Sequence, residues 1–216
     1  MPGWNYISNN AIMCGPSDDR DLGNLYPAVD NDDGSQHYFI AENVAVYGGM
    51  KNYLGLNKKW VKNLIVHPGR WSGDACLTAW GGQEHVYSEN TCITNNGFPQ
   101  AFDSSVEGDK CTFNYSDVTS APFLPSTHGN VYSTPDGTFA TGKSTPNQTP
   151  GHPRADTSPS TRARMRPAHP RTYPRTGCDT MYDLAALQKL GQELGSTVVK
   201  GYDVGDVVAQ AAQMLA

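Results

Sequence analysis

The sequence predicts an all-β solenoid of stacked parallel coils, and three observations carry that expectation. Four stretches repeat one pattern: NYISNNAIM (5–13), YFIAENVAV (38–46), KKWVKNLIV (58–66) and HVYSENTCI (85–93). Each is a short β-like run, an Asn and a second apolar run. The shared asparagines Asn10, Asn43, Asn63 and Asn90 recur at intervals of 33, 20 and 27 residues, inside the range of roughly 20–50 that marks stacked-coil architectures. The composition, with 22 Gly, 15 Pro and 17% charged residues, suits a turn-rich β protein rather than a helical one.

Aligned on the Asn, the columns keep like with like, as in-register parallel strands require when successive coils share a core. Two places after the Asn stand Ile12, Ala45, Ile65 and Cys92; three places before it stand Ile7, Ile40, Trp60 and Tyr87. One and three places after it come Ala11/Met13, Val44/Val46, Leu64/Val66 and Thr91/Ile93. After Gly, Asn best tolerates a left-handed corner, and stacked Asn side chains can bond in a ladder, so this column is expected to hold the turns. The preceding column, Asn9, Glu42, Lys62 and Glu89, reads as a solvated ion ladder on the outer face. Unequal intervals read as per-coil insertions that emerge as loops.

The coils occupy residues 1–142. Met1-Pro2-Gly3 leads straight into the first repeat with no secretion signal. Terminal coils normally need a cap, so the array is expected to be incomplete at its N-terminus. No run of about 18 apolar residues offers a membrane span, and no membrane partner is expected. The five cysteines, Cys14, Cys76, Cys92, Cys111 and Cys178, have no metal-site spacing. Cys92 sits in a core column and reads as a packed small side chain. In a secreted protein Cys76 with Cys92, or Cys111 with Cys178, can form disulfides. Asn114-Tyr-Ser and Asn147-Gln-Thr match the glycosylation triplet. Nothing matches a phosphate loop, a nucleophile elbow or a zinc site.

Residues 143–177 change character, with seven prolines, seven basic residues and the single acid Asp156. Such a stretch buries too little apolar surface to offset ordering entropy, and is expected to be a disordered linker or insertion. It lacks interleaved aromatics and a folded scaffold, so nucleic acid is not expected as a partner. Residues 178–216 read as a helical cap over the end of the stack. Thr180-Met-Tyr-Asp183 has capping-box spacing ahead of Leu184, Leu187 and Leu190, and Gly191 marks a stop. Asp206 is the expected cap of a second helix carrying Val207, Val208, Ala211, Ala212 and Leu215.

Three segments carry a family resemblance: VDNDDGSQHYFIAENVAVYGGMKNYLG (29–55) with NLIVHP (63–68), GNVYSTPDGTFATG (129–142), and DLAALQKLGQELGSTVVKG (183–201). They resemble right-handed parallel β-helix proteins, the broad group of pectate-lyase-like and glycoside hydrolase families. The most specific piece is Asp30-Asn-Asp32-Asp33-Gly34-Ser35 followed by Gly48-Gly49-Met50-Lys51. The resemblance implies a right-handed parallel β-helix, an extracellular or cell-surface location, and a polysaccharide or glycan as partner. It also implies Gly-Gly-x-Lys-x-x-Glu-Gly where this chain places Leu54 at the Glu position, which argues against a standard hydrolase.

The residues suit sugar chemistry. Three acids within four positions, Asp30, Asp32 and Asp33, cannot all rest easily as anions, so one should hold a proton or a cation. Glycoside hydrolysis uses two carboxylates, and the Asp cluster can supply one, with Glu84 or Glu42 as substitutes for the second. A lyase or epimerase mechanism needs a base and a cation near a uronate carboxyl, for which Lys51, His67, Arg70 and His85 are available. The Asp trio falls one residue short of a calcium loop, so Ca²⁺ is the one cofactor considered and no metal ligands are assigned. Ordinary turn chemistry is the alternative, with Asp bonding the backbone and Gly at the corner. Catalytic candidates are therefore Asp30, Asp32, Asp33 and Lys51. Trp71, Trp80 and Tyr53 are candidates for stacking on sugar rings, with His85 beside them, while Trp60 is expected in the core and His37 outside. A non-catalytic structural or glycan-binding solenoid is the alternative function.

Overall fold

The computed structural model describes residues 3–13, 27–31, 34–53, 55–68, 75–80, 84–95, 99–102, 126–142, 182–189 and 191–216. Asp32, Asp33, Leu54, Arg70, Trp71, Cys14, Cys111, Cys178, Asn114, Asn147, Thr180, Leu190 and the 143–177 segment lie outside these residues.

The strands come in triplets. β1 (Asn5–Ser8), β2 (Ala11–Met13) and β3 (Val29–Asn31) form the first; β4 (Tyr38–Ala41), β5 (Val44–Val46) and β6 (Met50–Tyr53) the second. β7 (Lys59–Val61), β8 (Leu64–Val66) and β9 (Leu77–Trp80) follow, then β10 (Val86–Ser88), β11 (Thr91–Ile93) and β12 (Gln100–Phe102). The fifth triplet is β13 (Ser126–His128), β14 (Val131–Thr134) and β15 (Thr141–Gly142). After it come α1 (Leu184–Lys189), β16 (Thr197–Lys200) and α2 (Val204–Leu215). Each member of a triplet joins a different parallel sheet, in the orders β1-β4-β7-β10-β13, β2-β5-β8-β11-β14-β16 and β3-β6-β9-β12-β15. The fold is thus mostly β, with stacked parallel strands, an arrangement compatible with a solenoid.

The expected register holds. Ile7 pairs with Ile40, Ile40 with Trp60, and Trp60 with Tyr87. Ile12, Ala45, Ile65, Cys92 and Tyr132 form the second column. These two columns, with Val29, Met50 and Leu77 from the third sheet, meet in one core where Ile40, Trp60, Ile65 and Tyr87 are fully buried. Among the described residues Trp60 Nε1 and Tyr87 Oη have no hydrogen-bond partner in that core. Burial, and then the Glu193 carboxylate, push the Tyr87 phenol far above its ordinary range. A fifth repeat, STHGNVYST, was masked in the sequence by the polar Thr127 in the apolar −3 column.

The Asn column is a ladder, but it is not the left-handed corner. That conformation falls on the residue before each Asn: Asn9, Glu42, Lys62 and Glu89 have φ of 57°, 57°, 56° and 56°, and Gly129 takes the fifth place at 64°. The exposed corner absorbs the backbone reversal, which frees the Asn side chain to point between coils. Asn10 N and Nδ2 donate to Asn43 Oδ1 at 3.1 and 3.0 Å, and Asn43 repeats this toward Asn63 at the same distances. Asn63 donates both bonds to Asn90 Oδ1 at 2.9 Å, and Asn90 to Asn130 Oδ1 at 2.9 and 3.2 Å. Each buried amide also donates back to a carbonyl of the preceding coil: Ile7, Ile40, Trp60 or Tyr87. The charge column is exposed, with Lys62 Nζ 3.9 Å from Glu89.

Cys76 and Cys92 form a disulfide across the core, so Cys92 is a bridge rather than a packed thiol. The tail also differs from expectation. It contains a strand, β16, that adds a rung beside β14. Only α1 closes the stack, burying Leu187 in the main core. Its cap is Asp183, whose Oδ1 accepts the Ala186 N–H at 2.7 Å, and Gly191 at φ 79° ends it. α2 is capped by Asp203, not Asp206, and lies along the flank: Val207, Ala211 and Met214 cover Val44, Leu64, Val66 and Ile93. Strand alternation explains this, because the +1 and +3 columns face away from the core that the +2 column fills.

Candidate functional site

The third sheet brings together four of the eight candidate site residues. Alternation along its strands turns Val29, Met50 and Leu77 inward and places Asp30 and Lys51 on the opposite side. Parallel register sets Asp30 against Lys51, and Lys51 against Thr78. Asp30 Oδ1 accepts from Lys51 Nζ at 3.0 Å, with side-chain exposures of 38% and 10%. The pair is therefore shielded on the lysine side and open on the carboxylate side. Two residues along the same strand, position 53 is in register with position 80, so Tyr53 and Trp80 occupy neighbouring places on β6 and β9. The loop after β3 carries Gly34 at φ 75°, which fits the turn chemistry of Asp-Asp-Gly-Ser.

Behind this face lies a polar cluster that the sequence reading missed. Lys58 is fully buried, and its Nζ donates to Asn31 O at 3.1 Å and Asn52 Oδ1 at 2.9 Å. Its backbone N–H donates to His85 Nδ1 at 3.2 Å. His85 is buried as well, edge-on to Trp60 with ring centroids 5.9 Å apart. His85 thus sits inside the stack, apart from Asp30 and Lys51. The signal for Lys58 was present: it stands two places before the inward Trp60, as His85 stands two before Tyr87, and period-2 alternation points both inward.

The other named residues scatter. Glu42 and Glu84 are exposed at left-handed corners with φ of 57° and 56°. His67 lies at another corner, its Nε2 2.7 Å from Tyr202 Oη, which ties the tail to the corner that follows β8. His37 is on the outer side as expected, though half-buried there, edge-on to Trp4 at 5.8 Å. That contact belongs to a second surface absent from the sequence reading. On the outer side of the first sheet Tyr6, Phe39 and Lys59 share one register column. Tyr6 is 69% exposed, and Lys59 Nζ stands 5.0 Å over the Trp4 ring.

Among the described residues no group of three His, Cys, Asp or Glu side chains is placed to hold a metal ion. No described helix is long and apolar enough to cross a membrane. What the third sheet offers is a charged donor–acceptor pair on a regular parallel surface. No family model matches the chain, and neither a curated protein nor a solved structure is similar to it.

Proposed function

We propose that this chain is a right-handed parallel β-helix protein of the extracellular carbohydrate-active kind, meeting polysaccharide on the outer face of the third sheet. The observation that carries the reading is the Asp30–Lys51 pair, 3.0 Å apart, with positions Tyr53 and Trp80 in register beside it. A carboxylate and an ammonium held together offer sugar hydroxyls strong acceptor and donor positions, and aromatic residues suit the apolar faces of sugar rings. Right-handedness is supported by the rule that about 98% of parallel crossovers within one sheet turn that way. The Cys76–Cys92 disulfide supports an oxidising, extracellular setting.

Of the two modes, binding without catalysis has the better support. Asp30 is the one carboxylate among the described residues of these five strands, whereas glycoside hydrolysis generally uses two. Leu54 in place of an expected Glu points the same way. The test is affinity electrophoresis of the full chain against neutral and uronate polysaccharides, run beside assays for reducing ends and unsaturated uronates. Binding without turnover is expected, weakened at least about tenfold by Lys51→Ala and by Asp30→Asn, a loss of about 1.4 kcal/mol. Turnover abolished by either change would restore the enzymatic reading. Absence of both binding and turnover would remove the carbohydrate reading altogether.

A further inference from the structure

Lys58 keeps an ammonium inside the stack, at a place where the strand pattern calls for an apolar side chain. It stands two positions before Trp60, on the same inward side, and is fully buried. Burying an ammonium is costly, and a well-packed apolar residue of similar volume often serves stability as well or better. Packing alone therefore does not account for a lysine here. Its bonds show what the ammonium does.

Nζ donates to Asn31 O at 3.1 Å and to Asn52 Oδ1 at 2.9 Å, so one cation joins the last residue of β3 to a residue of β6. Asn31 and Asn52 are partners in the parallel register, one step beyond the partners Asp30 and Lys51. Alternation gives the two pairs opposite faces: both asparagines are buried, while the Asp30 carboxylate reaches the surface. The Asn31 side chain adds no anchor, since its Nδ2 is buried with no hydrogen-bond partner among the described residues. The lysine backbone is itself fixed to the next coil. Its N–H donates to His85 Nδ1 at 3.2 Å, and its carbonyl accepts from the Val86 N–H at 2.9 Å.

We propose that Lys58 is a positioning residue for the Asp30–Lys51 pair. It clamps β3 to β6 from inside and so sets the spacing of the two charged groups that meet the ligand. The consequence for binding rests on the glycan reading; the clamp itself does not. Replacing the ammonium leaves Asn31 O and Asn52 Oδ1 buried without this donor. β3 is only three residues long, so the loss of a bond at its end is felt at Asp30, its central residue. The 3.0 Å contact between Asp30 and Lys51 then loosens. A ligand must restore an order that the folded protein otherwise supplies in advance.

The test compares the full chain with Lys58→Met and Asn52→Ala. Hydrogen exchange of the Lys51 ammonium, followed by heteronuclear NMR, reads the pair directly once Asp30→Asn has shown its value with the pair removed. In Lys58→Met that exchange should quicken at least about fivefold, toward the Asp30→Asn value. The amides of Leu64 and Thr91, bonded across the second sheet, should keep their protection. The Kd for polysaccharide should rise at least about tenfold. Asn52→Ala removes one of the two acceptors and should move the ammonium exchange the same way by less; it decides the matter if Lys58→Met does not fold. Unchanged Lys51 exchange, or an unchanged Kd in a chain that does bind, overturns the proposal. So does an equal loss of protection at Leu64 and Thr91, which would make Lys58 an ordinary member of the core. If the unaltered chain binds no polysaccharide, the glycan reading fails by itself, and the Lys51 exchange still decides whether Lys58 holds the pair.

Discussion

Replacing Asn63 with Ala removes a central, fully bonded rung of the ladder and should cost far more than truncating the exposed Asn10. The Asn63 side chain makes four hydrogen bonds. It accepts from Asn43 N and Nδ2, and donates to Ile40 O and Asn90 Oδ1. After truncation Asn43 Nδ2 retains Ile7 O and Asn90 Oδ1 retains the Asn63 N–H, but the Asn43 N–H is left buried without an acceptor. Leaving that group unmet costs about 1–3 kcal/mol, and the other three bonds contribute about 1 kcal/mol each, for a loss of about 4–6 kcal/mol. Asn10→Ala is the internal control. Its side chain is exposed and donates only to Ser8 O and Asn43 Oδ1, where water can take over, so the loss should be about 1 kcal/mol. At roughly 2–4 °C per kcal/mol for a chain of this size, thermal melts should separate the two variants by about 6–20 °C. Failure of Asn63→Ala to fold is the extreme form of the same result, given total stabilities of about 5–15 kcal/mol. Equal melting points for the two variants would falsify the claim that the ladder is a cooperative element of the core.

Four further outcomes are expected. Glu42→Val should lose about 1–2 kcal/mol in urea unfolding while Glu42→Asn is nearly neutral, because the corner needs a positive φ that a β-branched residue resists. Opening the Cys76–Cys92 bridge, which spans 16 residues, should cost about 3 kcal/mol, read as a lower Tm with reductant and no change in a Cys76→Ala/Cys92→Ala variant. Asp136 accepts from Thr138 Oγ1 at 2.6 Å and from its N–H at 3.1 Å; these bonds, side chain first, hold its carboxyl below the ordinary range. The turn it stabilises is therefore intact above the unfolded pKa and weakens as pH falls through the folded one. Thr138→Val should raise the Asp136 midpoint in an NMR titration. Met214→Asp should lift α2 from the flank and expose Val44, Leu64, Val66 and Ile93, detected as dye binding and self-association.

Much of the stack was legible because its physics is columnar. Ile7, Ile40, Trp60 and Tyr87 fall in one inward line, and the parallel pairing stacks them directly on one another. The corner was misread for a definite reason. Propensity assigns a left-handed turn to Asn, yet the ladder needs that side chain between coils, so Glu42 and Lys62 take the strained backbone instead. α2 announced its amphipathic face by its 3.6-residue period, but periodicity does not say what the face covers. The +1 and +3 columns held the answer, since alternation forbids them from sharing a core with +2. Glu193 carried no sequence signal at all, because a buried carboxylate among Asn130, Tyr132 and Ser196 arises only from tertiary closure. Of the candidate site, the Asp30–Lys51 pairing followed from register alone, whereas Lys58 needed the same alternation applied to a charged residue.

Two residues always separate the strands of the first and second sheets, as in Glu42-Asn43 or Lys62-Asn63, while the connection from the second sheet to the third ranges from three residues (47–49) to fifteen (14–28). The ladder explains the contrast, since an extra residue at the short corner would withdraw one amide and break its bonds to both neighbouring coils. Length variation is thereby channelled to the other corners. A lineage carrying this scaffold is free to lengthen, shorten or replace the loops that border the third sheet without renegotiating the core. Such a partition lets the protein's surface chemistry change at nearly constant stability, with one corner held fixed by the ladder and the others free to vary in length.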